Sequence, residues 1–137
     1  MHGYIQVEPE LLPLVDSPEL QRLRYIRQLG FSFLVYPGAH HTRFEHSLGA
    51  MHLASLMSEQ IGLRREDHLL VTAASLLHDI GHGPFSHAIE GITSEALGRS
   101  HTDVRDLITK SRLGDELERI DLDPLEPLCN GHTQVAV

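Results

Sequence analysis

The pattern of apolar and polar positions in the first third of the chain predicts one helix and one short strand. Ser17 can cap a helix that has Pro18 at its first position, and apolar residues then recur near helical spacing until Gly30. Residues 31–36 are partly aromatic and β-branched, which favours a short strand. We expect this strand to pair with an extended segment at residues 4–7.

Two longer helices are predicted in the middle of the chain. Thr42 and Glu45 have the spacing of a capping box, and Gly62 is suited to ending the helix that they begin. We expect the apolar face of this helix to consist of Leu48, Met51, Leu53, Leu56, Met57 and Ile61. The next helix runs from about residue 66 to residue 80, and its nearly continuous apolar centre at 69–77 is typical of a buried helix.

Two shorter helices are predicted towards the end of the chain. Ser100 can cap a helix over residues 101–112, and a further short helix is expected over residues 116–120, beyond Gly114. The predicted fold class is therefore all-α, with a possible two-stranded β element near the N-terminus. A chain of 137 residues is long enough for one such domain, spanning residues 1–137.

Composition excludes several functional classes. The chain contains no run long enough for a transmembrane helix and no signal peptide pattern, and its one cysteine, Cys129, cannot form an internal disulfide. We therefore expect a cytoplasmic protein. The formal net charge of −8 argues against binding to bulk nucleic acid or to a membrane surface. It does not exclude a small anionic substrate, because a bound cation can reverse the local field.

Histidine is unusually frequent, with 11 residues against 11 lysines and arginines together. Six of them fall in two short segments, namely His40, His41, His46, His78, His82 and His87. Neutral imidazole is a common ligand of transition metals and a proton carrier near neutral pH. The clustering therefore indicates a functional site rather than scattered surface histidines.

His78 and Asp79 lie at the end of the predicted buried helix. Polar or charged side chains in such a place need a partner, and a metal ion accepts both an imidazole nitrogen and a carboxylate oxygen. The structural alternative is that His78 interacts only with the dipole at the helix C-terminus. The nearby His82 and His87 favour the functional interpretation.

His46 lies near the start of the earlier predicted helix, 32 residues before His78. Two antiparallel neighbouring helices would bring the two histidines together, whereas an isolated His46 would be a surface residue near a capped helix end. With Asp79 they form a mixed nitrogen and oxygen ligand set without thiolates, which favours an open catalytic metal site. The ion could be manganese, iron, nickel, magnesium or zinc.

An ordered series of motifs resembles the HD superfamily, and more narrowly the deoxynucleoside triphosphate triphosphohydrolases. The series covers most of residues 2–105 and comprises HGYI at 2–5, QRLRYIRQLG at 21–30, YPGA at 36–39, RFEHSLG at 43–49 and HDIGHGPFSH at 78–87. A lone His-Asp pair is a weak signal, but this ordered series is specific. The resemblance implies an all-α core and hydrolysis of a dNTP to a deoxynucleoside and triphosphate.

The resemblance also implies roles for individual residues. It implies that His46, His78, Asp79 and a later aspartate bind one divalent metal ion, and that Arg43 contacts the substrate phosphates. His82, His87 and His101 would lie in the phosphate pocket, where one of them protonates the leaving oxygen, and Gln28 would contact the nucleotide sugar. In nucleotide-regulated members, positions matching Asp16, Gln21 and Arg24 recognise a guanine activator, although Gln21 and Arg24 could equally form a solvated helix face.

The chain departs from the family pattern at the fourth ligand. The later aspartate is expected downstream of Val137, and Asp115, Asp121 and Asp123 lack its sequence context. We therefore expect a single HD domain truncated at the C-terminus, whose exposed core surface favours a homo-oligomer such as a dimer. The alternatives to an enzyme are a non-catalytic or truncated HD module that binds metal or nucleotide, and a purely structural fragment.

Overall fold

The structure is a computed structural model, which describes residues 3–85 and 104–122. Its α-helices are α1 (Leu12–Val15), α2 (Pro18–Gln21), α3 (Arg43–Gln60), α4 (Arg65–Leu77), α5 (Arg105–Thr109) and α6 (Arg112–Arg119). Short 3-10 helices cover Pro9–Leu11, Arg22–Tyr25 and Gly30–Leu34. Within the described ranges there is no sheet, only an isolated antiparallel bridge between Arg27 and Thr42. The prediction of an all-α fold is confirmed.

Helices α3 and α4 form an antiparallel hairpin. The predicted capping box is present: the Glu45 backbone N–H donates to Thr42 Oγ1 (3.3 Å), and the Thr42 N–H donates to Glu45 Oε2 (2.6 Å). Gly62 follows α3 with a φ of +70°, a conformation that favours glycine, and residues 61–64 then lead into α4. The start of α3 consequently lies beside the end of α4.

The hydrophobic core lies between this hairpin and the short helices that flank it in the sequence. Residues 73–77 of α4 supply Ala73, Leu76 and Leu77, all of which are fully buried. The N-terminal helices and α6 pack on the same cluster through Leu11, Leu14, Leu20, Leu23, Leu113 and Leu117. Burying one leucine side chain contributes about 1.5–3 kcal/mol. The N-terminal segment and α6 are therefore integral to the fold around the hairpin.

The predicted apolar face of α3 is mostly wrong. Met51 is buried and Leu48 packs partly against the core, whereas Met57 and Ile61 are about two-thirds exposed. Leu53 and Leu56 are exposed as well. The buried face carries Arg43, Phe44, Ser47, Met51 and Ser58. Small serines permit close packing, and two polar side chains on this face, Arg43 and Ser58, have buried partners. Apolar content alone therefore did not identify the face that packs on α4.

The helix predicted from Pro18 to Gly30 is much shorter than expected. Ser17 caps it as predicted, by accepting a hydrogen bond from the Leu20 N–H (3.3 Å). The α-helix ends at Gln21 and continues only as the 3-10 helix Arg22–Tyr25. Ile26 is then extended, because its carbonyl accepts a hydrogen bond from the Arg43 N–H (2.8 Å) at the start of α3. A tertiary contact therefore overrides the local helical pattern.

The strand predicted at residues 31–36 is also wrong. Gly30–Leu34 forms a 3-10 helix, and residues 4–7 are not part of a strand. The Phe31 ring stacks on Phe85 with centroids 4.5 Å apart, and the Arg27 guanidinium lies 3.8 Å from the centroid of Phe33. The aromatic content that suggested a strand instead serves these ring contacts.

A polar network anchors the N-terminal segment to the end of the hairpin remote from residues 46 and 78. His68 is buried on α4, with Nδ1 2.6 Å from Ser58 Oγ and Nε2 in contact with Glu8 Oε1. Arg65 Nη1 lies 2.8 Å from Glu8 Oε2 and Nη2 donates to Glu10 Oε1 (2.6 Å). The end of the hairpin where residues 61–64 connect α3 to α4 is thus tied to residues 8–10.

The helices near the end of the described chain differ from the prediction. The start of the expected helix over 101–112 lies partly outside the described residues, and its described part ends at Thr109. Ser111 caps α6, whose span Arg112–Arg119 includes Gly114. A Cβ at Gly114 would lie 2.7 Å from the Ile108 carbonyl oxygen. This glycine therefore permits close approach of α5 and α6, whereas the sequence pattern suggested a helix break.

We predict that Gly114→Ala destabilises the fold. Alanine favours a helix over glycine by about 1 kcal/mol, but overpacking against a backbone atom costs about 1–3 kcal/mol. The expected net effect is a fall in the free energy of unfolding on the order of 1 kcal/mol, measured by urea denaturation. Gly38→Ala is the matched control, because nothing lies within 4 Å of its added Cβ. Equal or greater stability of Gly114→Ala would contradict the packing.

Candidate metal centre

The structure brings His46, His78 and Asp79 together. His46 lies in the first turn of α3, whereas His78 and Asp79 directly follow α4. The Nε2 atoms of His46 and His78 lie 3.2 Å apart. Asp79 Oδ2 is 3.9 Å from His46 Nε2, and Asp79 Oδ1 is 3.4 Å from His78 Nε2. The antiparallel hairpin therefore produces the juxtaposition that the sequence predicted.

The donor atoms of these three residues fit a metal ion. One ligand atom from each residue lies within 4.8 Å of the others, and among the described residues this is the only such group of three or more. The Nδ1 of His78 lies 2.8 Å from the Ser75 carbonyl oxygen, to which it donates its hydrogen. This bond fixes the tautomer and leaves Nε2 available as a ligand. The cluster can therefore hold a metal ion.

Asp79 is buried and surrounded by cationic or potentially cationic groups. Arg43 Nη1 donates to its Oδ2 (2.7 Å), and the Arg43 side chain is only 2% exposed. His82 Nε2 lies 3.4 Å from Asp79 Oδ1, and His82 is also buried. A buried carboxylate needs such charge compensation, because its desolvation costs several kcal/mol. Arg43 thus supplies a compensating charge directly beside the Asp79 carboxylate.

The protonation of His46 is shifted in the direction that suits a metal ligand. Burial lowers the pKa of His46 from its ordinary value, although the neighbouring Asp79 raises it. His78, Arg43 and His41 lower this pKa further. Since only a neutral imidazole nitrogen can bind a metal, a lowered pKa extends the pH range in which His46 is competent.

Three of the residues predicted to contact the substrate lie in the described part of the chain, and two lie outside it. Gln28 lies beside the start of α3, where its Oε1 accepts a hydrogen bond from His41 Nε2 (2.6 Å) and its N–H donates to the His41 carbonyl (3.2 Å). Arg43 and His82 both contact Asp79. His87 and His101 lie outside the described residues, so their predicted roles stay predictions.

The aspartates considered for a fourth ligand do not join the cluster in the described part of the chain. Asp115 is exposed on α6, and Asp121 follows the same helix with a φ of +54°. Asp123 lies outside the described residues. The cluster therefore has two nitrogen donors and one carboxylate among the residues that the structure describes.

The residues matched to an activator site form a local network. Gln21 Nε2 donates to the Val15 carbonyl (2.8 Å), and Arg24 Nε donates to Gln21 Oε1 (2.6 Å). The Arg24 guanidinium lies 3.7 Å from the centroid of the Phe44 ring, and Asp16 caps the C-terminus of α1. The contacts organise this surface, and activator recognition stays a prediction.

Sequence reasoning missed two features of the site. The Ser75 carbonyl that orients His78 has no side-chain signal, although its position three residues earlier on a helix makes the contact possible. Arg22 donates to the carbonyl oxygens of Ile80 and His82, yet it lies about 60 residues away and reads as an ordinary helix-surface arginine. Both contacts involve backbone acceptors, which the residue types do not reveal.

A family model described as HD domain matches residues 43–134. The chain belongs to the HD domain family. The match covers both helices of the hairpin and all three candidate ligands, His46, His78 and Asp79. In the described ranges, no helix is long and apolar enough to cross a membrane.

Several known proteins are similar to this HD domain chain. Human deoxynucleoside triphosphate triphosphohydrolase SAMHD1 is 47% identical over 98 residues, which are 66% of this chain and 16% of that protein. An uncharacterised protein of Methanocaldococcus jannaschii is 44% identical over 128 residues, covering 90% of this chain and 28% of that protein. The chain thus spans 16% of the human relative and 28% of the archaeal one.

The fold also matches a solved structure. A hypothetical protein from Aquifex aeolicus superposes with a TM-score of 0.74 at 41% sequence identity. The match covers 92% of this HD domain chain and 34% of the other. It includes the region that carries the metal cluster, so the hairpin geometry belongs to a fold that is also seen in a solved protein.

We predict that Arg43→Met destabilises the metal-free protein. Removing one partner of a buried ion pair leaves the Asp79 charge uncompensated, which costs about 3–5 kcal/mol. The double variant Arg43→Met/Asp79→Asn should lose less than the sum of the two single losses, because no unpaired charge remains. Urea denaturation in EDTA measures the free energy of unfolding of Arg43→Met, Asp79→Asn and the double variant. Additive losses would show that the two side chains do not depend on each other.

We also predict that His46 in the metal-free protein titrates below its ordinary pKa of 6.5, because of burial. The unfolded chain then binds more protons than the folded one, so this contribution to stability is present above pH 6.5 and is lost as the pH falls through the folded pKa. NMR titration of the His46 ring in EDTA measures the shift. Asp79→Asn should lower this pKa further, and an unchanged or higher pKa in that variant would contradict the assignment.

Proposed function

We propose that this chain is a metal-dependent phosphohydrolase that acts on nucleotides, with a dNTP as substrate and a deoxynucleoside and triphosphate as products. The observation that carries the proposal is the convergence of His46, His78 and Asp79 at one end of the hairpin, with Arg43 beside them. Similarity to proteins named deoxynucleoside triphosphate triphosphohydrolase supports the choice of substrate.

Binding of the metal would use His46 Nε2, His78 Nε2 and a carboxylate oxygen of Asp79. A divalent cation in this position supplies neutralisation of phosphate oxygens and activation of water for attack on phosphorus. The protein contributes an oriented His78, through its bond to Ser75, and a His46 whose lowered pKa favours the neutral ligand form. These features prepare the ligands before substrate binds.

Arg43 has two roles in the proposed reaction. One arm of its guanidinium compensates the charge of Asp79. The resemblance to dNTP triphosphohydrolases supports a second role, in which the same guanidinium contacts a phosphate oxygen of the substrate. Such a contact would put positive charge next to the negative charge of the triphosphate.

Release of the deoxynucleoside requires a proton. Water attacks the α-phosphorus, the bond to the 5′ oxygen breaks, and that oxygen must receive a proton as it departs. Histidine suits this role because its ordinary pKa is close to neutral pH. His82 is the described candidate, held 3.4 Å from Asp79 Oδ1, and His87 and His101 are the further candidates from the sequence.

The second candidate function is a non-catalytic HD module that binds metal or nucleotide. The observation that favours it is the cluster size, since the residues described here supply three ligands where the family resemblance implies four. A site with three protein ligands can still bind a metal that completes its coordination with water. Binding and hydrolysis must therefore be measured separately.

The test is hydrolysis of each dNTP by the purified chain with added Mn²⁺, with triphosphate, pyrophosphate and phosphate separated by ion-exchange chromatography. We expect triphosphate release, which His78→Ala should abolish because it removes a ligand. His52→Ala on α3 is the matched control and should retain activity.

Each other outcome has a defined meaning. Release of phosphate or pyrophosphate would contradict triphosphate as the product but not a metal-dependent phosphohydrolase. Full activity in His78→Ala would contradict the ligand assignment. Metal-dependent dNTP binding without any hydrolysis, measured by calorimetry, would establish the binding module instead.

A further inference from the structure

Arg22 connects the N-terminal part of the chain to the backbone that follows the candidate ligand Asp79. From the 3-10 helix Arg22–Tyr25, its Nη1 donates to the His82 carbonyl oxygen (2.9 Å) and its Nη2 donates to the Ile80 carbonyl oxygen. The two acceptors flank Gly81, and Asp79 immediately precedes them. One guanidinium thus bridges both sides of the turn that follows the ligand.

The turn needs such a partner because α4 has already ended. Within it, the Ile80 N–H donates to the Leu77 carbonyl (3.0 Å) and the His82 N–H donates to the Asp79 carbonyl (3.1 Å). Helix ends leave carbonyl oxygens without intrahelical partners, and a buried carbonyl without a hydrogen bond costs about 1–3 kcal/mol. Ile80 is fully buried and His82 nearly so, which limits the access of water to their carbonyl oxygens. The two donors of Arg22 provide the hydrogen bonds instead.

Glycine makes the turn dependent on an external restraint. Gly81 lies between the two bonded carbonyls and permits a wider range of backbone angles than any other residue. Rotation at Gly81 would move the His82 side chain, whose Nε2 lies 3.4 Å from Asp79 Oδ1. The two hydrogen bonds from Arg22 remove this freedom, because they hold the carbonyl on each side of the glycine.

The charge and shape of arginine suit this position. A cation near the C-terminus of α4 interacts favourably with the helix dipole. Burial lowers the pKa of the Arg22 guanidinium, and Glu19 on the preceding turn opposes that shift. Guanidinium groups nevertheless remain protonated in proteins, and their planar fork donates to two acceptors at once. Lysine has a comparable charge but presents it from a single nitrogen.

We propose that Arg22 is a positioning residue for the metal centre: its guanidinium clamps the turn at Ile80 and His82 and thereby holds Asp79 in the position of a ligand. The inference rests on the proposed function, because it requires that His46, His78 and Asp79 bind a divalent cation. It adds a residue that acts through the backbone rather than on the metal or the substrate.

The test is titration of the untagged, metal-free chain with Co²⁺, followed by the visible d–d absorption bands of the bound ion. Removing groups that orient metal ligands typically weakens metal affinity about 10- to 100-fold, and we expect at least about tenfold weakening and an altered band shape in Arg22→Ala. Methylguanidinium added to this variant should restore affinity towards the parent value, whereas methylammonium should not, because it lacks the fork.

Two further variants serve as comparisons. Arg64→Gln removes a cation from a side chain that is 78% exposed and should bind Co²⁺ like the parent. Arg22→Lys keeps the charge and should be weakened less than Arg22→Ala but more than Arg64→Gln. Circular dichroism checks that each variant is folded, and Arg22→Lys decides the question if Arg22→Ala does not fold.

The outcomes separate this inference from the proposed function. No Co²⁺ band in the parent, or a band that His78→Ala leaves unchanged, would overturn the metal site itself and the inference with it. A parent band that depends on His78, together with parent-like affinity and band shape in folded Arg22→Ala or Arg22→Lys, would overturn the role of Arg22 alone.

Discussion

The buried pair of Arg43 and Asp79 is the interaction on which the candidate site depends. It joins the first residue of α3 to the second residue after α4, so it fixes the relation between the two helix ends that carry His46 and His78. A carboxylate can be buried at this depth only with a compensating charge or a metal ion. The ionic contact therefore holds the two helix ends together and compensates the charge of Asp79 within the candidate site.

Polar contacts also attach the N-terminal segment to both ends of the hairpin. At the remote end, His68 links Ser58 on α3 to Glu8 in the N-terminal segment. At the end that carries the site, Arg22 reaches the turn after α4. The N-terminal segment therefore holds the hairpin at both ends, while leucines such as Leu14 and Leu20 fill the space between. Because polar contacts fix the ends of the hairpin and leucines fill the space between them, a small helical core can present several polar groups in a defined geometry.

Membership in the HD domain family and the geometry of the cluster are independent observations that agree. The family match spans residues 43–134, and the three candidate ligands lie within it. Arg22 and Gln28 precede that range, yet both are bonded to residues in or next to it. The functional unit of this chain thus extends beyond the matched segment, because backbone carbonyls at His41, Ile80 and His82 accept hydrogen bonds from upstream residues.

The sequence by itself determined the helical class, the capping box at Thr42 and Glu45, and the association of His46 with His78 and Asp79. These follow from local chemistry and from the antiparallel arrangement that a short connection imposes on neighbouring helices. Only the tertiary structure decided which face of α3 is buried, why the helix at Pro18 stops at Gln21, and why Gly114 lies inside a helix. Each depends on a contact between distant residues, and hydrogen bonds to backbone atoms or close approaches of backbone leave no mark in the pattern of residue types.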